Sequence, residues 1–159
     1  MDTFLREFGA VIGVNHMPLA FFQGTQGEVT FPEDFLWDLH RRAPGNIEKL
    51  IHTHPPGVVE ASTQDKRLLI ALAWALYPFP IRLSVLAPRE ILASSQAFPL
   101  LLEERCYWAS LEPQSCWKAH GGERIVTILL ESTHIIDCFD EQTPSYYHVL
   151  AAQSYPQYA

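Results

Sequence analysis

A strand–helix–strand segment in the middle of the chain constrains the fold most. Residues 47–53 (IEKLIHT) have the composition of a strand, and a Pro-Pro-Gly sequence that begins at Pro55 breaks it. Ser62 is a typical helix N-cap, and apolar side chains at helical spacing predict a helix from there to about Tyr77. Residues 81–86 (IRLSVL) then predict another strand. We expect five side chains of the helix to face the core: Leu68, Leu69, Leu72, Ala73 and Leu76.

The N-terminal part predicts three more strands and a second helix. Apolar runs at residues 8–14, 18–23 and 28–31 predict the strands, with a glycine-containing turn before the third. Pro32 is expected at the first position of the helix, which proline favours, and Pro44 followed by glycine ends the helix. We expect three aromatic side chains to lie in the core: Phe35, Trp37 and Tyr77.

The C-terminal part has weaker patterns. Residues 89–96 are weakly helical, and residues 124–130 and 134–139 predict two late strands. The whole pattern predicts one mixed α/β or α+β domain over residues 1–141, with one sheet and at least two helices, and a partly ordered tail over residues 142–159. Four further side chains are expected to serve packing: Cys106, Trp108, Cys116 and Trp117.

Composition excludes several classes of function. Eleven Lys and Arg against 18 Asp and Glu give a net charge of −7, and the longest basic run is Arg41-Arg42, so a basic nucleic-acid-binding face is not expected. The chain has no apolar run long enough for a membrane span, and its start lacks the features of a signal peptide. The odd count of three cysteines then favours a reducing compartment, and we expect a cytoplasmic protein.

The residues best suited to metal binding or catalysis lie between His52 and Asp65. On a strand, residues i and i+2 point to the same face, so His52 and His54 present two imidazoles side by side. Asp65 would return from the first turn of the next helix, and two imidazoles with one carboxylate suit a divalent ion, zinc above all. Taken alone, Ser62 and Asp65 are equally well explained as a capping box at the helix N-terminus, and the two interpretations are compatible.

The joint spacing of this segment resembles the JAMM motif of the JAB/MPN metalloprotease family, His-x-His-Pro-x6-Ser-x-x-Asp. All five fixed positions match, with Pro55 as the proline. The family also has an upstream glutamate that opens an apolar strand, and Glu7 followed by FGAVIG resembles that segment. Glu28 is the rival glutamate, but it lies beside a turn and lacks the apolar run that follows Glu7.

The resemblance implies a three-layer domain like that of cytidine deaminases, a central mixed sheet flanked by helices, and one zinc ion per chain held by His52, His54 and Asp65. It also implies that Glu7 is the general base and that Ser62 hydrogen-bonds the developing oxyanion. Thr53 would point to the opposite face and lie in the core. Family domains usually have a strand and a long helix before the glutamate strand, whereas six residues precede Glu7 here. That element is therefore expected to be absent or shortened, or to be supplied by a missing upstream segment, another copy or a partner chain.

The function that the resemblance implies is that of a deubiquitinase-like isopeptidase. It would hydrolyse amide bonds at the C-terminus of a ubiquitin-like modifier, and the short loop over residues 56–61 favours a small or prokaryotic-type modifier. One alternative is the same hydrolase acting on another peptide or on a sulfur-carrier adduct. The other is an MPN-like scaffold that acts through binding. Neither nucleic acid nor a membrane is an expected partner.

Overall fold

The computed structural model describes residues 6–25, 28–88, 102–112, 133–138, 150 and 153–155. Six strands and two α-helices have both of their ends within these residues. The strands are β1 (Phe8–Gly13), β2 (Pro18–Gln23), β3 (Ile47–Thr53), β4 (Arg82–Pro88), β5 (Leu102–Leu111) and β6 (Thr133–Cys138). The helices are α1 (Glu33–Arg42) and α2 (Thr63–Ala75). Neither of these helices is long and apolar enough to cross a membrane.

The six strands form one mixed sheet in the order β2-β1-β3-β4-β5-β6. β3 and β4 are parallel, and the other neighbouring strands are antiparallel. A parallel pair needs a crossover connection, and α2 lies in the chain between β3 and β4. The expectation of a mixed α/β or α+β domain with one sheet and at least two helices is therefore confirmed for the described residues.

Each face of the sheet buries its own apolar cluster. On one face, Val11, Leu50 and Leu83 pack with Leu36 of α1 and Leu69 of α2. Both helices therefore cover the same face. The alternation of side chains along a strand sends the intervening residues to the opposite face. There the second cluster consists of Ala10, Ile12, Ile51, Leu86 and, near the end of the chain, Leu150.

Most of the strand and helix predictions are confirmed. β3 has the predicted bounds, and Ser62 is the N-cap of α2. Pro32 lies one position earlier than predicted, as the N-cap of α1. Among the five side chains expected in the core, three are buried and the other two are partly buried and pack against the same cluster: Leu69, Ala73 and Leu76, with Leu68 and Leu72.

The prediction of a strand over residues 28–31 is wrong. The backbone N–H of Glu28 bonds the Thr25 hydroxyl, and its carbonyl accepts from Thr25 N, so neither group is available to a sheet. Phe31 instead turns into the core, where its ring packs edge-on against Phe22. Its Cζ atom lies 2.8 Å from where a Cβ on Gly9 would be. Phe31 therefore fills space against β1, and a side chain at position 9 would force its ring or β1 to shift.

The core assignment of several aromatic residues is also wrong. Phe35, Trp37 and Tyr77 are 36%, 47% and 50% exposed. Leu36 is the buried residue of α1, and its neighbours in sequence point away from the core because successive helical residues differ by about 100°. Trp108 is also exposed, whereas Cys106 is buried as expected. The remaining predictions lie outside the described residues: the helix at 89–96, the strand at 124–130, Cys116, Trp117 and most of the tail.

Candidate metal centre

Glu7, His52 and His54 form a buried cluster on the helix-covered face of the sheet. Their ligand atoms all lie within 4.8 Å of one another, so the three residues could hold a metal ion. Strand register explains why they meet. Gly9 of β1 pairs with His52 of β3, and Glu7 and His54 each lie two residues from one member of that pair, on the same face.

The two imidazoles differ in their hydrogen bonds. The ring centroids are 4.6 Å apart at 79°. The Nδ1 of His54 lies 3.0 Å from the Val58 carbonyl oxygen, and this contact favours a proton on Nδ1 and a lone pair on Nε2. His52 is 2% exposed, and neither of its ring nitrogens makes a well-formed hydrogen bond; instead each faces a carboxylate, Nε2 that of Asp65 and Nδ1 that of Glu7. A metal ion could replace the proton through which an imidazole nitrogen would otherwise pair with these carboxylates.

Asp65 brings a second carboxylate to the imidazoles from the first turn of α2. Its Oδ1 lies 3.2 Å from His52 Nε2, and its Oδ2 lies 3.4 Å from His54 Nε2. The carboxylate of Glu7 is farther away, with Oε2 at 3.7 Å from His52 Nδ1 and Oε1 at 4.0 Å from His54 Nε2. Two carboxylates and two imidazoles therefore converge from three elements of the fold.

Ser62 and Asp65 also form the predicted capping box. Ser62 Oγ accepts a hydrogen bond from Asp65 N at 3.1 Å, and Asp65 Oδ2 accepts one from Ser62 N at 2.8 Å. The box fixes Asp65 at the N-terminus of the helix while its carboxylate still faces both imidazoles. The capping and metal-site interpretations of this segment are thus geometrically compatible.

Glu7 is held firmly although it lies just before β1. Its N–H donates to the Thr25 carbonyl at 2.6 Å, and its carbonyl accepts from Gly24 N at 2.8 Å. The residue is 7% exposed. Glu28, the rival glutamate, is exposed and stands outside the cluster.

A cavity of about 230 Å³ opens onto the cluster. Glu7, His54, Ser62 and Asp65 contribute to its lining. The other lining residues are Glu28, Val29, Pro55, Val58, Gln64 and Leu68. The carboxylates and the Ser62 side chain are therefore reachable by a molecule that enters from solvent.

The carboxylates and imidazoles of the centre shift each other's pKa values toward the charged forms. Burial alone would lower the pKa of His52, but the adjacent carboxylates of Asp65 and Glu7 outweigh burial and raise that pKa to about 9. Burial would raise the pKa of Asp65, but its contacts with His52 and His54 hold that pKa well below its usual range. The cluster attracts positive charge, and a divalent cation bound there would displace the His52 proton.

The opposite face of β3 carries contacts that the sequence patterns did not reveal. Thr53 is buried as expected, and its hydroxyl accepts from Phe8 N at 2.9 Å and contacts Ser154 Oγ. The Tyr155 hydroxyl donates to the carbonyl oxygen of His54. The tyrosine-rich composition of the tail was the only signal available, and it does not specify this position.

The chemistry of these donors fits a divalent metal ion, because imidazole nitrogens and carboxylate oxygens are common ligands of such ions. No protein-family model matches the chain, and no curated protein sequence matches it.

Proposed function

We propose that the chain is a zinc-dependent metallo-isopeptidase of the JAMM type, which hydrolyses amide bonds at the C-terminus of a ubiquitin-like modifier or a related small protein. The observation that carries the proposal is that the carboxylates of Glu7 and Asp65 converge on the buried imidazoles of His52 and His54, where neither ring nitrogen of His52 makes a well-formed hydrogen bond. The spacing of His52, His54, Ser62 and Asp65 supplies the link to JAMM hydrolases.

The distances support different roles for the two carboxylates. Asp65 lies closer to both imidazoles than Glu7 does, at 3.2 and 3.4 Å against 3.7 and 4.0 Å. We therefore assign Asp65, His52 and His54 as the three zinc ligands. When bound, zinc supplies Lewis acidity, which lowers the pKa of a water molecule toward neutrality and polarises a carbonyl group.

Glu7 is the general base in this proposal. Its carboxylate stands beside the ligand group and lines the cavity, so it can take a proton from an attacking water molecule. The same carboxyl group can then deliver that proton to the leaving amine. The two backbone hydrogen bonds of Glu7 fix the backbone that carries this buried side chain.

Ser62 is assigned to the substrate carbonyl. Its oxygen accepts the hydrogen bond from Asp65 N, so its own hydrogen can point into the cavity that Ser62 lines. A donor aimed at the carbonyl oxygen stabilises the negative charge that develops there during attack. The N-cap role and the catalytic role use different parts of the same hydroxyl.

A peptide or protein tail suits this site better than a fully enclosed small molecule. The cavity is lined from α2, from the residue before β1, from Glu28 and Val29, and from the loop after β3. The part of that loop over residues 56–61 is short, and the cavity is open to solvent. An extended C-terminal tail could enter while the folded part of its protein stays outside.

The test compares Glu7→Gln with Glu28→Gln, a matched change on the wall of the same cavity. Both variants are loaded with zinc and assayed on a panel of ubiquitin-like proteins fused through their C-termini. Glu7→Gln should retain zinc and lose activity by about 10²–10⁴-fold, whereas Glu28→Gln should lose little. If zinc-loaded wild type cleaves none of the fusions or peptides but still binds a partner, the scaffold alternative is favoured. Equal activity of Glu7→Gln and wild type would overturn the assignment of Glu7.

A further inference from the structure

The residues Ser154 and Tyr155 contact the back of the candidate metal centre through the sheet. Tyr155 is fully buried, and its hydroxyl donates to the carbonyl oxygens of His54 and, at 3.3 Å, of Leu86. The Leu86 carbonyl also accepts from His54 N at 2.9 Å. One phenol thus holds the backbone of a proposed ligand against the neighbouring strand.

This contact matters because His54 lies just beyond the end of β3. No β1 residue is paired with it, and the β1–β3 pairing stops at Gly9 and His52. The backbone of His54 therefore depends on two bonds, its N–H to Leu86 and its carbonyl to Tyr155. Without the phenol, the His54 carbonyl would lose the donor that it has in this buried position.

Ser154 contacts β3 one residue before His54, at Thr53. Its hydroxyl contacts Thr53 Oγ1, and Thr53 Oγ1 accepts from Phe8 N at 2.9 Å. This side-chain bond extends the link between β1 and β3 by one residue beyond the last backbone pair. In the sequence, Glu7 directly precedes Phe8, and Thr53 lies between His52 and His54. The bond therefore holds the backbone next to Glu7, His52 and His54.

The Tyr155 hydroxyl lies on the side of the sheet opposite the cavity, where it donates to backbone carbonyl oxygens. It cannot touch a substrate there, and any influence on the centre passes through the backbone of β1 and β3.

We propose that Tyr155, assisted by Ser154, is a positioning residue that sets the backbone at His54 and Phe8 and so fixes the geometry of the metal ligands from behind the sheet. This inference rests on the proposed function. Substitution of groups that orient metal ligands typically weakens metal affinity by 10–100-fold. Because Tyr155 acts through the backbone, we expect the lower part of that range, about 10-fold.

The test is Tyr155→Phe, which removes the hydroxyl and keeps the ring. Zinc affinity is measured by competition with a chelator, and cobalt is substituted to record the visible spectrum of the ligand field. Both are measured well below the unfolding temperature of each metal-free variant. We expect about 10-fold weaker zinc binding and a changed cobalt spectrum. The control is Thr133→Val, which removes the 2.7 Å bond from Trp74 Nε1 in a part-buried position away from the centre.

The control separates positioning from stability alone. If both variants lower stability while zinc affinity and the cobalt spectrum match wild type, the inference is overturned and the proposed function stands. If wild type binds neither zinc nor cobalt, both are overturned. Should Tyr155→Phe fail to fold, Ser154→Ala is measured in the same way, and a few-fold loss of zinc affinity with a shifted spectrum supports the inference. Wild-type values for Ser154→Ala would then contradict it.

Discussion

His52 Nε2 lies 3.2 Å from Asp65 Oδ1, joining the strand β3 to the first turn of α2 in the interior of the protein. The Ser62–Asp65 capping box fixes one partner, and pairing with Gly9 fixes the other. His52 is buried and Asp65 is partly buried, and the contact is an ion pair rather than a well-formed hydrogen bond. Asp65 is therefore the carboxylate most directly linked to both imidazoles.

Asp65→Asn should weaken zinc binding more than Glu7→Gln does. The amide keeps the size of the side chain and an oxygen that can still accept from Ser62 N, so the helix cap survives. The negative charge that favours the cation is lost. We expect a loss of zinc affinity beyond about 100-fold for Asp65→Asn, against little change for Glu7→Gln. Chelator competition measures both, and the opposite order would exchange the two assigned roles.

Ser62→Ala should affect stability and catalysis separately. Loss of the N-cap side chain costs about 1 kcal/mol of unfolding free energy. Loss of the proposed oxyanion donor lowers kcat by about 10²-fold or more, while zinc content stays at the wild-type level. Ser62→Thr keeps both the cap and the hydroxyl, and it serves as the control. Denaturant unfolding and steady-state kinetics give the two values. Full activity of the alanine variant would exclude a role for this hydroxyl in catalysis.

The metal-free protein should lose stability at alkaline pH. The pKa of His52 is raised from 6.5 to about 9 in the folded chain. A group with a raised pKa contributes stability that is fully present below pH 6.5 and is lost as pH rises through about 9. Urea unfolding from pH 6 to 10 should show this decline, and His52→Gln should flatten it. A decline of equal size in His52→Gln would assign the pH dependence to other groups.

Gly9→Ala should destabilise the fold, because a Cβ at position 9 would lie 2.8 Å from the ring of Phe31. Overpacking of this kind costs about 1–3 kcal/mol. The shorter side chain of Phe31→Leu makes room, so the double variant should lose less than the sum of the two single variants. Denaturant midpoints of the four proteins form the cycle. Strict additivity would mean that Phe31 does not lie against β1.

The extent to which the sequence predicts this fold depends on how local the signals are. β3 and α2 follow from local patterns, namely an apolar run, a proline break and a capped amphipathic segment. β5 has no such local pattern, because it contains charged residues whose ion-pair partners are far away in the sequence. Glu104 pairs with Lys49 at 3.0 Å, and Arg105 pairs with Asp137 at 3.3 Å. Because of these charged residues, the sequence did not predict β5, although it lies between β4 and β6 in the sheet.

The candidate site divides in the same way. The spacing of His52, His54 and Asp65 lies within one strand–loop–helix unit, so the sequence alone brings these side chains together. Glu7 precedes a different strand, so the spacing within this unit does not predict its position. The pairing of β1 with β3 is what brings Glu7 to the imidazoles. Tyr155 could not be found from the sequence, because it meets the His54 carbonyl across 101 positions of the chain.

The measurement that tests the central claim most directly is the metal content of the protein, purified without chelators or metal-affinity resin. It is compared with His52→Ala/His54→Ala and with His16→Ala/His40→Ala, a control pair outside the cluster. We predict about one zinc ion per chain in wild type and in the control pair, and none in His52→Ala/His54→Ala. Wild-type protein that takes up no zinc at neutral pH, even after incubation with the ion, would contradict the assignment of a metal centre.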